Sequence, residues 1–141
     1  MKLNWISGRQ GTGYYKLKIF ESKLLKMDCY ILKYPYDSKI KKHNDPAPEG
    51  YKHHRINITL NSNYRGGHFV LYNGNNRLIE GKRIKYFRPD IQFHSVDRIT
   101  SGRRYVLSIG WLSKTKQKIM KRNSKQFQNY RDWYKENYGK N

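Results

Sequence analysis

Cysteine is almost absent from this chain. Its one thiol, Cys29, rules out an internal disulfide, and its place in Asp28-Cys29-Tyr30-Ile31-Leu32 makes it a small core residue of a strand. Acids are scarce too: 10 Asp and Glu face 30 Lys and Arg, for a net charge of +20. No apolar run is long enough to span a membrane. Met1-Lys2-Leu3-Asn4-Trp5 lacks the apolar stretch of a secretory signal. These absences together predict a reducing, cytoplasmic setting and no membrane partner. Only 36% of residues are hydrophobic, and 13 tyrosines carry much of that apolar area. Tyrosine is amphipathic, so the expected body is a small shell of strands around a polar cavity.

The positive surplus biases encounters toward polyanions. It points to a nucleic acid, an RNA–protein particle or an acidic protein as the partner. The competing explanation is an AT-rich genome, which enriches Lys, Asn, Ile and Tyr without selecting a ligand; such a composition in so short a chain fits a phage or other small-genome source. At 141 residues the chain reads as a single domain, 1–141.

Turn-punctuated short strands dominate the pattern. Residues 1–13 read as irregular, and Gly8-Arg9-Gln10-Gly11-Thr12-Gly13 lacks the spacing of a nucleotide-binding loop. From Tyr14 to Met27 the periodicity fits strand or short helix. Asp28 to Tyr36 is a strand, ended by Pro35 and its neighbours, and Ile40-Lys41-Lys42-His43 is a second. Arg55-Ile56-Asn57-Ile58-Thr59-Leu60 alternates strictly, so its polar side faces either solvent or a wet cavity. His68–Tyr72, a hairpin signal at Asn73-Gly74-Asn75-Asn76, Arg83–Phe87, Ile91–Val96 and Arg104–Trp111 follow. Trp111 is expected in the core. About eight such strands predict a mainly β sandwich or barrel, commonly a jelly roll, with its core over about 28–112. Ile119, Met120, Phe127, Tyr130 and Tyr134 fall at helical spacing. They predict a basic C-terminal amphipathic helix over about 116–138, docked on the barrel.

One constellation carries chemistry. His43 and Asp45 stand at i and i+2, on one face of an extended backbone. His94 and then Arg104 follow. Two imidazoles and one carboxylate can take one face of an octahedral metal and leave the other open, as in non-haem Fe(II) oxygenases. An arginine beside such a metal can clamp a carboxylate through its planar fork. His53 and His54 are adjacent on a strand and point to opposite faces, so they cannot both join one metal.

The ordered set resembles the prolyl-4-hydroxylase-like branch of the Fe(II)/2-oxoglutarate-dependent dioxygenases. The matching residues are Tyr34-Pro35, His43-Asn44-Asp45, Ile58-Thr59-Leu60-Asn61, Gly66-Gly67-His68-Phe69, Arg88-Pro89, His94-Ser95-Val96 and Ile99–Tyr105 leading into Trp111. They cover just over half the chain. The resemblance implies a double-stranded β-helix, the jelly-roll variant of that family. It implies His43, Asp45 and His94 as iron ligands, and Arg104 as the partner of the distal carboxylate of 2-oxoglutarate. Tyr34 matches a family tyrosine that helps to bind that co-substrate; where the family often has another tyrosine, this chain has Thr59, with Asn57 and Arg55 as polar neighbours. His68 and Arg55 are candidates for substrate contact.

The implied activity is that of an oxidoreductase: an enzyme using Fe(II), O2 and 2-oxoglutarate, with ascorbate as a possible reductant. It would hydroxylate a macromolecule and release succinate and CO2. The resemblance favours a protein side chain, prolyl above all. A nucleic-acid base is the alternative with the same chemistry. A different class altogether is a non-catalytic basic nucleic-acid-binding module on the same scaffold.

Overall fold

The computed structural model describes residues 2–8, 12–72 and 83–115. The hairpin signal at 73–76 and the C-terminal helix expected over 116–138 lie outside the described residues. Eleven strands are described: β1 (Trp5–Ser7), β2 (Tyr15–Ser22), β3 (Met27–Tyr34), β4 (Ile40–His43), β5 (Tyr51–Thr59), β6 (Tyr64–Gly66), β7 (Phe69–Leu71), β8 (Ile84–Phe87), β9 (His94–Val96), β10 (Ile99–Gly102) and β11 (Arg104–Lys114). They form a six-stranded sheet, β1-β2-β3-β11-β5-β8, a three-stranded sheet, β4-β9-β7, and a two-stranded ribbon, β10-β6. All the pairings are antiparallel. The two larger sheets face each other across a central cavity, because side chains of both line it. This is the mainly β, double-stranded β-helix expected. Among the described residues no helix is long and apolar enough to cross a membrane.

The N-terminal region departs from the expectation. Residues 1–13, read as irregular, contain β1, and the ambiguous stretch from Tyr14 is β2. These two strands extend the large sheet, so its ordered pairing begins well before residue 28. Lys16 and Lys18 alternate with Tyr15, Leu17 and Ile19 as a strand requires, but Phe20 and the Leu24-Leu25 pair after it blur the period. What holds the segment is pairing with β3 rather than its own pattern.

The large sheet is apolar on its outer face. Residues directly opposite across antiparallel strands share a face, so register assigns whole rows. One row runs Trp5, Leu17, Ile31, Leu107, Ile58, Ile84. The next runs Phe20, Cys29, Ile109, Ile56, Tyr86. Cys29 is therefore a half-buried outer-face residue rather than a core one. Alternate positions turn inward: Asp28, Tyr30, Leu32 and Tyr34 of β3, Arg55 and Asn57 of β5, and Ser108 of β11 all line the central cavity. Along β11 the inward Arg104, Val106, Ser108 and Gly110 are buried, whereas the outward Tyr105, Leu107, Ile109 and Trp111 are half-buried. Trp111 thus packs outside the cavity, stacked on His54 at 5.3 Å and 9°.

The buried apolar cluster is small: Tyr14, Tyr34, Val96, Ile99 and Val106, with Leu32, Ile40, Tyr64 and Phe69 against it. Tyr14 and Tyr34 stack at 5.4 Å. The cluster closes the interior at the Tyr34–Val106 end. The Asp28–Gly110–Arg55 row, cross-paired two rungs further along from Ser108, is polar.

His54 gives the outer face a pH dependence. One ring nitrogen meets the Tyr86 hydroxyl at 2.6 Å and the other the Ser113 hydroxyl at 2.7 Å. Burial, then the nearby Arg88 charge, lowers its pKa below the usual 6.5. The folded state therefore favours neutral imidazole more than the unfolded state does. This contribution is complete above pH 6.5 and is lost as pH falls through the lower folded value. His54→Gln should flatten the fall in urea midpoint below pH 6.5, measured by tryptophan fluorescence across a pH series.

Candidate metal centre

The first two ligand candidates are delivered by one strand end. His43 is the last residue of β4, and Asp45 follows two positions on, its backbone N–H donating to the Pro89 carbonyl at 2.7 Å. The third lies on the neighbouring strand. His43 and His94 are directly opposed in the β4–β9 register, which places both imidazoles on the cavity side. Their ring centroids are 4.3 Å apart. Asp45 Oδ2 lies 3.7 Å from His43 Nε2 and 3.5 Å from His94 Nε2. One donor atom from each of the three residues falls within 4.8 Å of the others. Metal–nitrogen and metal–oxygen bonds of ~2.1 Å place adjacent donors about 3 Å apart, so the cluster needs only a small contraction to grip an ion.

Both imidazoles are set in the tautomer that coordination needs. His43 Nδ1 lies 2.7 Å from the Lys41 carbonyl and His94 Nδ1 3.0 Å from the Gln92 carbonyl. A carbonyl only accepts, so each Nδ1 carries the proton and donates. Each Nε2 lone pair is then free toward Asp45. Such outer hydrogen bonds fix ring orientation and raise ligand basicity. Phe87 and Phe69 pack on the His94 ring, at 5.0 and 5.9 Å, and shield that side of the cluster.

The cavity in front of the cluster has a volume of about 330 Å³. Tyr34, Arg55 and Asn57 line it, as do Asp28, His53 and Ser108, which local sequence did not assign to the site. Arg55 is tied down: its Nη2 donates to Asp28 Oδ1 at 2.8 Å and its Nη1 to Ser108 Oγ at 2.8 Å. Ser108 in turn donates to Asn57 Oδ1 at 2.7 Å. Gly110 lies beside this network. A Cβ there would fall inside the contact distance of the Arg55 guanidinium. His53 faces the cavity while His54 faces out, as adjacent strand residues must. Burial, then the Arg55 charge, lowers the His53 pKa. The i, i+2 spacing of His53, Arg55 and Asn57 was the available signal for His53; Asp28 had none, because its partner is 27 residues away.

Arg104 stands apart from this network. Its side chain is buried, only 6% of the residue being exposed, and no described carboxylate pairs with it. Its Nη2 donates to Thr59 Oγ1 at a long 3.3 Å, its guanidinium lies 5.4 Å from the Tyr34 ring centre, and its Nε has no hydrogen-bond partner among the described residues. Gly67, in a left-handed conformation (φ +64°), makes room for it: a Cβ there would crowd Ile99 and the Arg104 Cδ. Burial raises the Tyr34 pKa, so its hydroxyl keeps its proton. Arg104 and Thr59 open onto a second cavity of about 670 Å³, which meets the first at Phe69. His68 sits on that second cavity, 78% exposed and 3.8 Å from Asp97.

No family model matches the chain, and no curated protein does. Solved structures do. A cupin 2 conserved barrel domain protein from Rhodopseudomonas palustris superposes with a TM-score of 0.53 at 7% identity, covering 82% of this chain and 74% of that one. A cupin 2 conserved barrel domain protein from Salinispora arenicola gives 0.47 at 12%, covering 79% and 88%. A DMSP lyase from Ruegeria pomeroyi gives 0.47 at 12%, covering 80% and 61%. The first likeness shows the fold: the barrel is of cupin type, the double-stranded β-helix that 2-oxoglutarate oxygenases share.

Two outcomes follow from the geometry. Co(II) titrated into the protein should give a d–d absorption spectrum that Asp45→Ala and His94→Ala each abolish, with circular dichroism unchanged; retention of the spectrum in both variants would remove the cluster as the binding site. Gly110→Ala should lower folding stability by about 1–3 kcal/mol, read from urea unfolding, by displacing Arg55 from Asp28.

Proposed function

We propose that the protein is an Fe(II)- and 2-oxoglutarate-dependent hydroxylase of the prolyl-4-hydroxylase-like kind. The carrying observation is the pairing of a two-histidine, one-carboxylate cluster with a buried arginine that lacks a carboxylate partner among the described residues. Leaving a buried cation uncompensated costs several kcal/mol. The cost is offset when a ligand brings the missing carboxylate, and a dicarboxylic 2-oxo acid has one to spare beyond the end that would chelate a metal.

In this reading His43, Asp45 and His94 hold the iron. Bound iron with 2-oxoglutarate and O2 supplies the oxidising chemistry, the co-substrate leaving as succinate and CO2. The protein's own part is positioning. Arg104 would pair with the distal carboxylate of the co-substrate, and Thr59 holds one edge of its guanidinium in place. Tyr34, kept protonated by burial, offers a hydroxyl donor from the floor of the metal cavity. The carbonyls of Lys41 and Gln92 keep both imidazoles aimed. Phe69 and Phe87 exclude water from the His94 ring. Arg55 is neutralised by Asp28, so it supports the cavity wall. The substrate is a macromolecule; the resemblance to the prolyl-hydroxylase-like branch supports a protein side chain, and the charge of +20 supports a polyanionic or polyanion-bound one.

The test is anaerobic titration of the Fe(II)-loaded protein with 2-oxoglutarate. Arg104→Ala should weaken 2-oxoglutarate binding by roughly 30- to 100-fold, equivalent to about 2–3 kcal/mol, with Co(II) binding unchanged. Arg104→Lys should recover only part of it, since a point charge replaces the fork. Equal affinity in wild type and Arg104→Ala, or no succinate from wild type with Fe(II), O2 and cell extract, would sink the assignment.

A further inference from the structure

The cavity beside Arg104 holds more positive charge than one co-substrate carboxylate can match. Arg65, Arg83, Lys85 and Arg104 line it together with His68, and no described Asp or Glu lines it. Arg104 is the buried member. Arg65 and Arg83 are exposed at the cavity surface, and Lys85 is half-buried. The register explains the gathering: Lys85 lies opposite Asn57 on the β5–β8 pair, and the Thr59 N–H donates to the Arg83 carbonyl. Arg65 arrives from the β6–β10 ribbon on the other side.

Away from the cavity, Glu21 pairs with Lys18, Asp28 with Arg55, Asp37 with Arg98 and Asp90 with Arg88; at the cavity, Asp97 lies 3.8 Å from His68. No described ion pair involves Arg65, Arg83, Lys85 or Arg104. A concave site with such a surplus attracts an anion, and cavity walls concentrate the field. At about 670 Å³ the cavity is twice the volume of the one at the metal cluster. Its remaining lining is mixed, with Thr59, Asn61 and Ser62 as hydrogen-bonding groups and Tyr64 and Phe69 as rings.

We infer that this cavity binds the phosphodiester backbone of a single-stranded nucleic acid. Phosphates recur at fixed spacing and meet arginine forks through two oxygens, which suits Arg65 and Arg83. Bases are planar and stack on rings whatever their identity, which suits the half-buried Tyr64 ring on the cavity wall, whereas Phe69 is already packed on Phe87 and His94. Phe69 lies between this cavity and the metal cluster, so a strand seated on the cations passes beside the centre where the chemistry would occur. Arg104 serves the co-substrate, and Arg65, Arg83 and Lys85 serve the strand.

Fluorescence anisotropy tests this with labelled mixed-sequence single strands of about 12 nucleotides, one DNA and one RNA, titrated with full-length protein. The cavity variant is Arg65→Ser/Arg83→Ser/Lys85→Gln. A control removes three exposed lysines at the far edge and its turn: Lys2→Ser/Lys23→Ser/Lys26→Ser. The cavity variant should bind at least about tenfold more weakly than the control. Its slope of log K against log salt should fall by about 2, because each phosphate that is no longer neutralised removes ~0.7 from it. Preference for the RNA or the DNA strand then identifies the source of the phosphates.

Equal losses in the two variants would show diffuse surface attraction and overturn the inference. So would a Glu-rich peptide binding in a cavity-dependent way while neither strand does, which assigns the cavity to an acidic protein. Co(II) and 2-oxoglutarate titrations on the same samples separate the two proposals. Cavity-dependent strand binding in a protein that takes up neither metal nor 2-oxoglutarate upholds the strand site and rejects the hydroxylase.

Discussion

A charge removed from water inside a small barrel must be matched at close range, and that demand organises the interior of this protein. Arg55 is matched by Asp28 and Ser108, and Arg88 by Asp90. Asp45 sits against two imidazoles whose outward nitrogens are committed to carbonyls. Of these three arginines, Arg104 alone lacks a described acid, and it opens onto a cavity. Two kinds of buried charge are thereby told apart: those that close on themselves within the wall, and Arg104, which has no described acid beside it. The same demand explains Gly110, where a Cβ would collide with the Arg55 guanidinium.

The large sheet inverts the usual assignment of its faces. Inward positions on β3, β5 and β11 include Asp28, Arg55, Asn57, Arg104 and Ser108, and outward positions carry Ile31, Ile56, Ile58, Leu107 and Ile109. A small barrel whose interior carries this many polar and charged side chains cannot also hold a large apolar core, so the apolar residues lie outward and form cross-strand rows. The compact core that remains, around Tyr14, Tyr34, Val96, Ile99 and Val106, plugs one end.

Sequence reading succeeded where information is local. Strict alternation from Arg55 to Leu60 announced β5, and the polar face does line a cavity. The i, i+2 spacing of His43 and Asp45 put both on one face, and the structure brings His94 to them as a direct cross-strand neighbour. It failed where information is relational. β1 pairs with β2 and β2 with β3, so residues 5–7, read as irregular, gained their strand from an edge further along the chain, and pairing resolved the strand-or-helix ambiguity from Tyr14 onward. Trp111 was expected inside because it is large and apolar, but alternation along β11 places it outside once Arg104 points in. Asp28 looked like an ordinary strand position until register set it opposite Gly110 and beside Arg55. Whether a polar strand face meets solvent or a cavity is decided by the rest of the fold.

β11 is hydrogen-bonded along its length to β3 on one side and β5 on the other. Both partners precede it by some 50 to 80 residues along the chain. The β3–β5 half of the wall therefore has no centre until this strand is made. During synthesis, which runs from the N-terminus, His43, Asp45 and His94 all emerge before the strand that closes the barrel around them. Pairings between distant segments also form slowly. A nascent chain thus displays its imidazoles and carboxylate to the surrounding solution before the cavity that encloses them has formed.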